Sequence, residues 1–335
     1  MPTDSRPFVV LAGPIHADAQ ALLEKEARVV VCNETEEAVF LKVAADAHGI
    51  LFRVRPRVTE SLMTACKNLK VVGRHGVGLD TVDLPAATRL GIAVVHAPGI
   101  NRYAVAEHAI LLILSSLKKL RQIDKLTRGG GWRDSGLASG LREFRGKTLG
   151  IVGVGNIGTE VAKRAAAFGA VVIGFDPYVA EDELRRRGVE PTASLDDLCR
   201  RADIITCHTP LTDETRHMID ERRIGLMKQG VIFINTSRGP IQQEAALFEA
   251  LTRGKIAAAG LDVWEEEPVR ADNPLLNLEN VTCTAHVAGA TQEAHRASGI
   301  HVAEEMLRVI RGERPQHIAN ADLWPRLAHL RPTTD

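Results

Sequence analysis

"LGIVGVGNIGTEVAKRAAAFGAVVIGFDPY" fills residues 149–178. It opens on an apolar run, sets glycines at 153, 155 and 158, continues with a helix-period stretch, and closes a second apolar run at Asp176. Gly-x-Gly-x-x-Gly by itself is a weak signal, because a tight turn needs no more than that. The context decides: a strand before it, a helix after it and an acidic residue about 20 positions on make the βαβ unit that binds a dinucleotide. In that reading Gly153 permits the turn, Gly155 lets the backbone approach a pyrophosphate, and Gly158 lets helix and strand pack closely. The pyrophosphate then meets a helix N-terminus, whose N–H groups and dipole favour an anion. Asp176 accepts from the ribose hydroxyls and repels a 2′-phosphate, so NAD is expected rather than NADP. Arg185, Arg186 and Arg187 lie nearby and are read as a solvated helix face rather than a 2′-phosphate site.

Outward from this unit, short β-branched runs alternate with helical patterns along the whole chain, the rhythm of parallel α/β folds. One group of strands is expected at 8–13, 27–32, 49–54, 69–74 and 92–97. A second is expected at 149–155, 171–176, 203–209, 231–237, 257–263 and 281–287. Between them, "YAVAEHAILLILSSLKKLRQIDKL" (103–126) reads as one long helix, apolar around most of its circumference and so covered on nearly every side. A last helix over 291–312 would fold back onto the first group. The fold class is thus α/β, with two Rossmann-like or flavodoxin-like doubly wound parallel-sheet domains and a cleft between them.

The 335 residues suffice for about two domains. Lys plus Arg balances Asp plus Glu at 42 each, so no global basic field exists to hold nucleic acid or an anionic membrane. A small-molecule partner is expected. The five scattered cysteines show no Cys-x-x-Cys spacing, which points to a reducing cytoplasm and to neither a disulfide framework nor a zinc cluster. No metal site, secretion signal or membrane anchor is expected.

Three polar residues fall just after strands of the second group, at the carboxyl edge where open α/β sheets place their ligands. They are Arg238 in "NTSRGP", Glu267 in "LDVWEEEP" and His286 in "CTAHVAGAT". Singly, each has a structural reading: a surface arginine, a carboxylate in an acidic turn, a hydrogen-bonded histidine. Together they suit hydride transfer between NAD and a 2-hydroxy acid. That chemistry needs a cation to hold a carboxylate and polarise a carbonyl, and a group that moves the hydroxyl proton. Arginine offers a planar, permanently charged fork, and histidine titrates near neutrality.

With these residues in place, the chain resembles the D-isomer-specific 2-hydroxyacid dehydrogenases, in particular their phosphoglycerate dehydrogenase-like branch. The resemblance runs through "GRHGVGLDTVD" (73–83), "AVAEHA" (104–109), "GVGNIG", "PLTDETRHMI" (210–219), "INTSRGP", "GLDVWEEEP" (260–268) and "HVAGAT" (286–291). It implies that Arg238, Glu267 and His286 act together. It implies cofactor contacts at Asn156, Ile157, Thr209, Pro210 and Thr236, and at Asp262 near the carboxamide. It further implies that the backbone N–H groups of Val77 and Gly78 clasp the substrate carboxylate. A discontinuous substrate domain, 1–98 plus 290–335, would wrap an inserted NAD domain, 99–289, in a homodimer joined near helix 103–120. Ala285 stands where the family often has proline, and Thr209 where an apolar residue is more usual; both bear on the subfamily, not the class.

Arg53, Arg55 and Arg57 alternate in "FRVRPRVTE", and Arg74 ends the next strand. On an extended segment the three share a face, either as a row binding a phosphate or second carboxylate or as ordinary arginines on an edge strand. His75 would line the cleft, and His108, inside the long helix, is expected to be structural. A serine-regulated C-terminal domain is not expected. A second function remains open, an NAD-sensing binding protein of the corepressor type, which would keep the same three residues. A formate dehydrogenase reading is disfavoured by Glu267, since that branch carries glutamine there.

Overall fold

The computed structural model describes residues 5–34, 36–133 and 135–326. The chain divides into two compact units, one made of the chain up to Asn101 together with the chain from Ala290 onward, the other of Arg102–Gly289.

The first unit holds β1 (Phe8–Ala12), β2 (Arg28–Cys32), β3 (Gly49–Phe52), β4 (Val71–Arg74) and β5 (Ala93–His96). They pair in parallel in the order β2-β1-β3-β4-β5, the flavodoxin-like arrangement. Val9 and Leu11 enter one core, while Phe8 and Val10 enter the other. Both faces are therefore covered, which is why these strands read as unbroken apolar runs rather than alternating ones. The helix Gln292–Ile310, capped by the Thr291 hydroxyl, covers one face with Val302, Ala303, Met306, Leu307 and Val309.

The second unit holds β6 (Thr148–Val152), β7 (Val171–Phe175), β8 (Glu190–Pro191), β9 (Ile204–Cys207), β10 (Val231–Asn235), β11 (Ile256–Leu261) and β12 (Val281–Cys283). All pairings are parallel, in the order β12-β11-β10-β9-β6-β7-β8. Read from β8, this is the Rossmann order extended by one strand, and it reverses direction between β6 and β9. Phe233 faces one core and Ile232 and Ile234 the other. The expected strands are all present with shorter bounds; β8 escapes sequence reading because two residues show no alternation.

The long helix expected over 103–126 is instead two, Arg102–Leu117 and Leu120–Arg128. Lys119 adopts φ 48°, in the left-handed region, and the Leu117 carbonyl accepts from the Arg142 amide instead of from the next turn. Leu111 is 52 % exposed, so the first helix is not covered on every side within its unit. No helix among the described residues is long and apolar enough to cross a membrane.

Candidate active site

The loop after β6 lies at the point where strand order reverses. Gly153 has φ 87°, and a Cβ there would press on the His208 carbonyl and the Thr209 methyl. A Cβ on Gly158 would overlap the Gly153 carbonyl oxygen, so helix Asn156–Ala167 can sit this close to β6 only with glycine at that position. A Cβ on Gly155, in contrast, would meet nothing within 4 Å. The protein's own packing does not require that glycine, and a pyrophosphate cradled over the helix N-terminus does. Asn156 and Ile157 form the first turn of this helix.

Asp176 follows β7, and its Oδ2 accepts from Val154 N at 2.9 Å while Oδ1 accepts from Tyr178 N at 3.0 Å. Each oxygen keeps a lone pair for a ribose hydroxyl. Arg185 and Arg186 pair with Glu181, Asp182 and Glu183 on their own helix, and Arg187 joins Glu183 to the Val154 carbonyl. Thr209 and Pro210 follow β9, and Thr236 follows β10. The Thr236 hydroxyl is buried without a partner among the described residues, a polar atom that a bound nucleotide would satisfy. These residues fit a dinucleotide.

The catalytic candidates stand on the loops after β10, β11 and β12. Asn235, fully buried, staples the first loop: its Nδ2 donates to the Arg238 carbonyl at 2.8 Å and to Gln242 at 2.6 Å, and its Oδ1 accepts from Ser237 N and Oγ. Arg238 donates from Nη1 to the Ser237 carbonyl at 2.7 Å. A Cβ on Gly239 would overlap the Trp264 carbonyl, so only glycine lets the arginine loop rest on the next one. Trp264 in turn donates its backbone N–H to Glu267 Oε1 at 3.1 Å and its indole N–H to the Thr284 carbonyl at 3.1 Å. Glu267 Oε2 lies 2.7 Å from His286 Nδ1.

Burial pushes the Glu267 carboxyl up, but the hydrogen bond and charge of His286, the Trp264 amide and Arg238 outweigh it and hold the group below the ordinary carboxylate range. A carboxylate on Nδ1 places the proton there and leaves Nε2 to exchange with a ligand. His286 has φ 53°, one of few non-glycine residues in the left-handed region, a conformation kept where surrounding contacts over-determine it. The contacts here come from Asp262. It is fully buried, accepts from Val287 N and Ala288 N at 2.9 Å and from Thr284 Oγ1 at 2.6 Å, and its carbonyl takes the His286 amide at 2.7 Å. Asp262, which the family resemblance sets beside the carboxamide, thus directs its carboxylate into the His286 loop. His108 completes the network, with Nε2 3.0 Å from Thr284 Oγ1. Asn235, Trp264 and Thr284 escape sequence reading as functional residues, although all three sit inside the quoted stretches.

In the first unit, the arginine segment is not an extended row. The chain bends at Arg53 and Val54, directly after the central strand β3, so the alternation that would align the three is lost and no edge strand is involved. Arg53 lies 2.9 Å from His295 Nε2, and Arg57 reaches the Asp80 carbonyl at 3.5 Å. Arg55 is exposed. Arg74 donates to the His75 carbonyl. Val77 and Gly78 follow β4, and their amides have no hydrogen-bond partner among the described residues. His75 is buried, with Nε2 3.1 Å from the His295 carbonyl.

A Rossmann sheet with a dinucleotide loop at its switch point and a hydrogen-bonded glutamate–histidine pair at its carboxyl edge defines a nucleotide-binding α/β protein. Residues 110–288 match the family model of the D-isomer specific 2-hydroxyacid dehydrogenase, NAD binding domain. D-3-phosphoglycerate dehydrogenase of Methanocaldococcus jannaschii is 42% identical over 326 residues, which are 97% of this chain and 62% of that one. Hydroxypyruvate reductase of Thermotoga maritima is 39% identical over 88% of this chain and 95% of its own. Among solved structures, D-lactate dehydrogenase of Aquifex aeolicus, complexed with NAD and lactic acid, superposes with a TM-score of 0.80 at 31% identity over 90% of this chain and 94% of that one. The chain belongs to the D-isomer specific 2-hydroxyacid dehydrogenase family. It spans about three-fifths of the length of the phosphoglycerate dehydrogenase it matches.

Proposed function

We propose that this protein is an NAD-dependent oxidoreductase that interconverts a D-2-hydroxy acid and its 2-keto acid. The observation that carries the reading is the 2.7 Å contact between Glu267 and His286 Nδ1, which orients the imidazole and reserves Nε2 for the substrate. Bound NADH supplies the hydride. His286 Nε2 gives the proton that the reduced carbonyl oxygen takes up and receives it back in oxidation. Arg238 holds the substrate carboxylate and polarises the carbonyl, and Glu267 keeps the imidazole in the proton-bearing orientation. Gly153, Gly155, Asn156, Ile157, Gly158, Asp176, Thr209, Pro210 and Thr236 bind the nucleotide, and the carboxylate of Asp176 favours NAD over NADP.

For the substrate side we assign Val77 and Gly78, through their amides, to the carboxylate, and Arg53, Arg55 and Arg74 to a phosphate or second carboxylate. Relatives named for phosphoglycerate and for hydroxypyruvate leave both kinds of substrate in play. The apolar exposure of Tyr103, Leu111, Leu120 and Trp132 supports a homodimer formed through this stretch, and five free thiols support a reducing, cytoplasmic setting.

The test is NADH consumption across glyoxylate, pyruvate, hydroxypyruvate, phosphohydroxypyruvate and bulkier 2-keto acids, with NADPH in parallel. Turnover on at least one is expected, and His286→Ala should lower it by about 10²–10⁴-fold while NADH still binds. Silence on every keto acid with NADH bound would sink the enzymatic reading. Arg53→Ala with Arg55→Ala should raise the Michaelis constant for the phosphorylated substrate selectively; an unchanged ratio to the plain one would remove these arginines from the site.

A further inference from the structure

The second half of helix Gln292–Ile310 and the segment after it carry a cluster that the proposed chemistry does not use. His301 and Glu305 are four residues apart and so share a helix face. His317 returns to the same place, and one ligand atom from each of the three lies within 4.8 Å of the others. Nε2 of His301 and Nδ1 of His317 are both buried without a hydrogen-bond partner among the described residues. Their rings stand 4.8 Å apart at 64°. Glu305 is 2 % exposed; its Oε2 accepts the His317 amide at 2.6 Å, and its Oε1 lies 3.4 Å from Arg308 Nε. Each carboxylate oxygen keeps a lone pair. Two unsatisfied imidazole nitrogens beside a buried anion are costly to leave so, and a cation would satisfy all three groups at once.

We propose that His301, Glu305 and His317 form a divalent metal site of the zinc class, with water as the fourth ligand. Two imidazoles and one carboxylate suit zinc, whereas magnesium and calcium take oxygen ligands. Zinc bonds of about 2.0–2.1 Å require ligand atoms roughly 3.3 Å apart, so binding draws the three inward by small side-chain rotations. The role is structural. His317 precedes Ile318, which bridges Val95 in antiparallel fashion, and Ala319 and Asn320, which hydrogen-bond Val94. The metal therefore clips this returning segment to the helix that covers the same sheet. Because the three ligands converge only in the folded unit, the ion stabilises the native state.

The experiment uses the untagged full chain, stripped with a chelator and titrated with Zn²⁺ by calorimetry and thermal melting, with Mg²⁺ as control. One equivalent of Zn²⁺ per chain and a higher Tm are expected, with no response to Mg²⁺. The double variant His301→Ala, His317→Ala should lose both effects. Glu305→Gln, which keeps an acceptor for the His317 amide, should weaken Zn²⁺ binding at least about tenfold. A near-UV circular dichroism spectrum unchanged from wild type reports that each variant is folded, and Glu305→Gln alone decides if the double variant is not. Absence of Zn²⁺ binding to the wild type, or equal binding to wild type and variants, would overturn the proposal.

Discussion

His75 is 5 % exposed, and burial, ahead of the nearby charges of Arg53 and His295, drops its titration from 6.5 to about 4. The unfolded chain takes up this proton near 6.5, the folded chain only near 4. Between those values the unfolded state binds more protons, so stability is full above 6.5 and is lost as pH falls toward 4. The loss is about 3 kcal/mol. Urea denaturation at pH 7 and pH 4 should show it, and His75→Gln, which can still donate to the His295 carbonyl, should shrink that difference, the share of His208 and other buried histidines remaining; an undiminished pH dependence would acquit His75. At this scale the sequence made Arg238, Glu267 and His286 stand out as candidates, because a charge or imidazole past an apolar strand is conspicuous, and the structure pairs the last two. It hid Asn235, Thr284 and the loop-holding direction of Asp262. What those residues do depends on which backbone groups they hold, 22 to 26 positions away for Asp262, and no periodicity records that.

Among elements, the three carboxyl-edge loops form a stack. Gly239 is its tightest joint, since a side chain there would have to displace the Trp264 carbonyl and with it the amide that holds Glu267. Gly239→Ala should cost about 2–3 kcal/mol and depress turnover more than NADH affinity, as measured by chemical denaturation and by kinetics beside nucleotide titration. Equal stability and full activity would mean that the loops part without cost. Strand positions were legible because parallel strands covered on both faces are plainly apolar. Helix ends were less so: the sequence over 103–126 keeps its helical pattern through Lys119, and the break is set by Arg142, 23 residues beyond that lysine, capturing the Leu117 carbonyl. The arginines do not line up in a straight row for a similar reason, since alternation in sequence says nothing about a bend at Arg53.

At the scale of the molecule, one unit is continuous in sequence and the other is not. Arg102–Gly289 contains its entire sheet and both of its cores, so this fragment should fold alone and bind NADH. The chain up to Asn101 has all five strands of its sheet but lacks the helix that supplies Val302, Met306 and Leu307 to one face, and it should remain without fixed tertiary packing. Near-UV circular dichroism and NADH fluorescence on the two fragments would distinguish these outcomes, and a well-packed N-terminal fragment would show that the late helix is dispensable. The same discontinuity governs how the protein emerges from a ribosome. Of the two units, the one begun first is completed second, because its covering helix follows the whole of Arg102–Gly289. At about 5–20 residues per second, the nascent sheet waits roughly 10–40 s with an apolar face bare. Over that interval the newborn chain is an expected client for holdase chaperones, engaged at β1–β5 and released only when translation has delivered the covering helix.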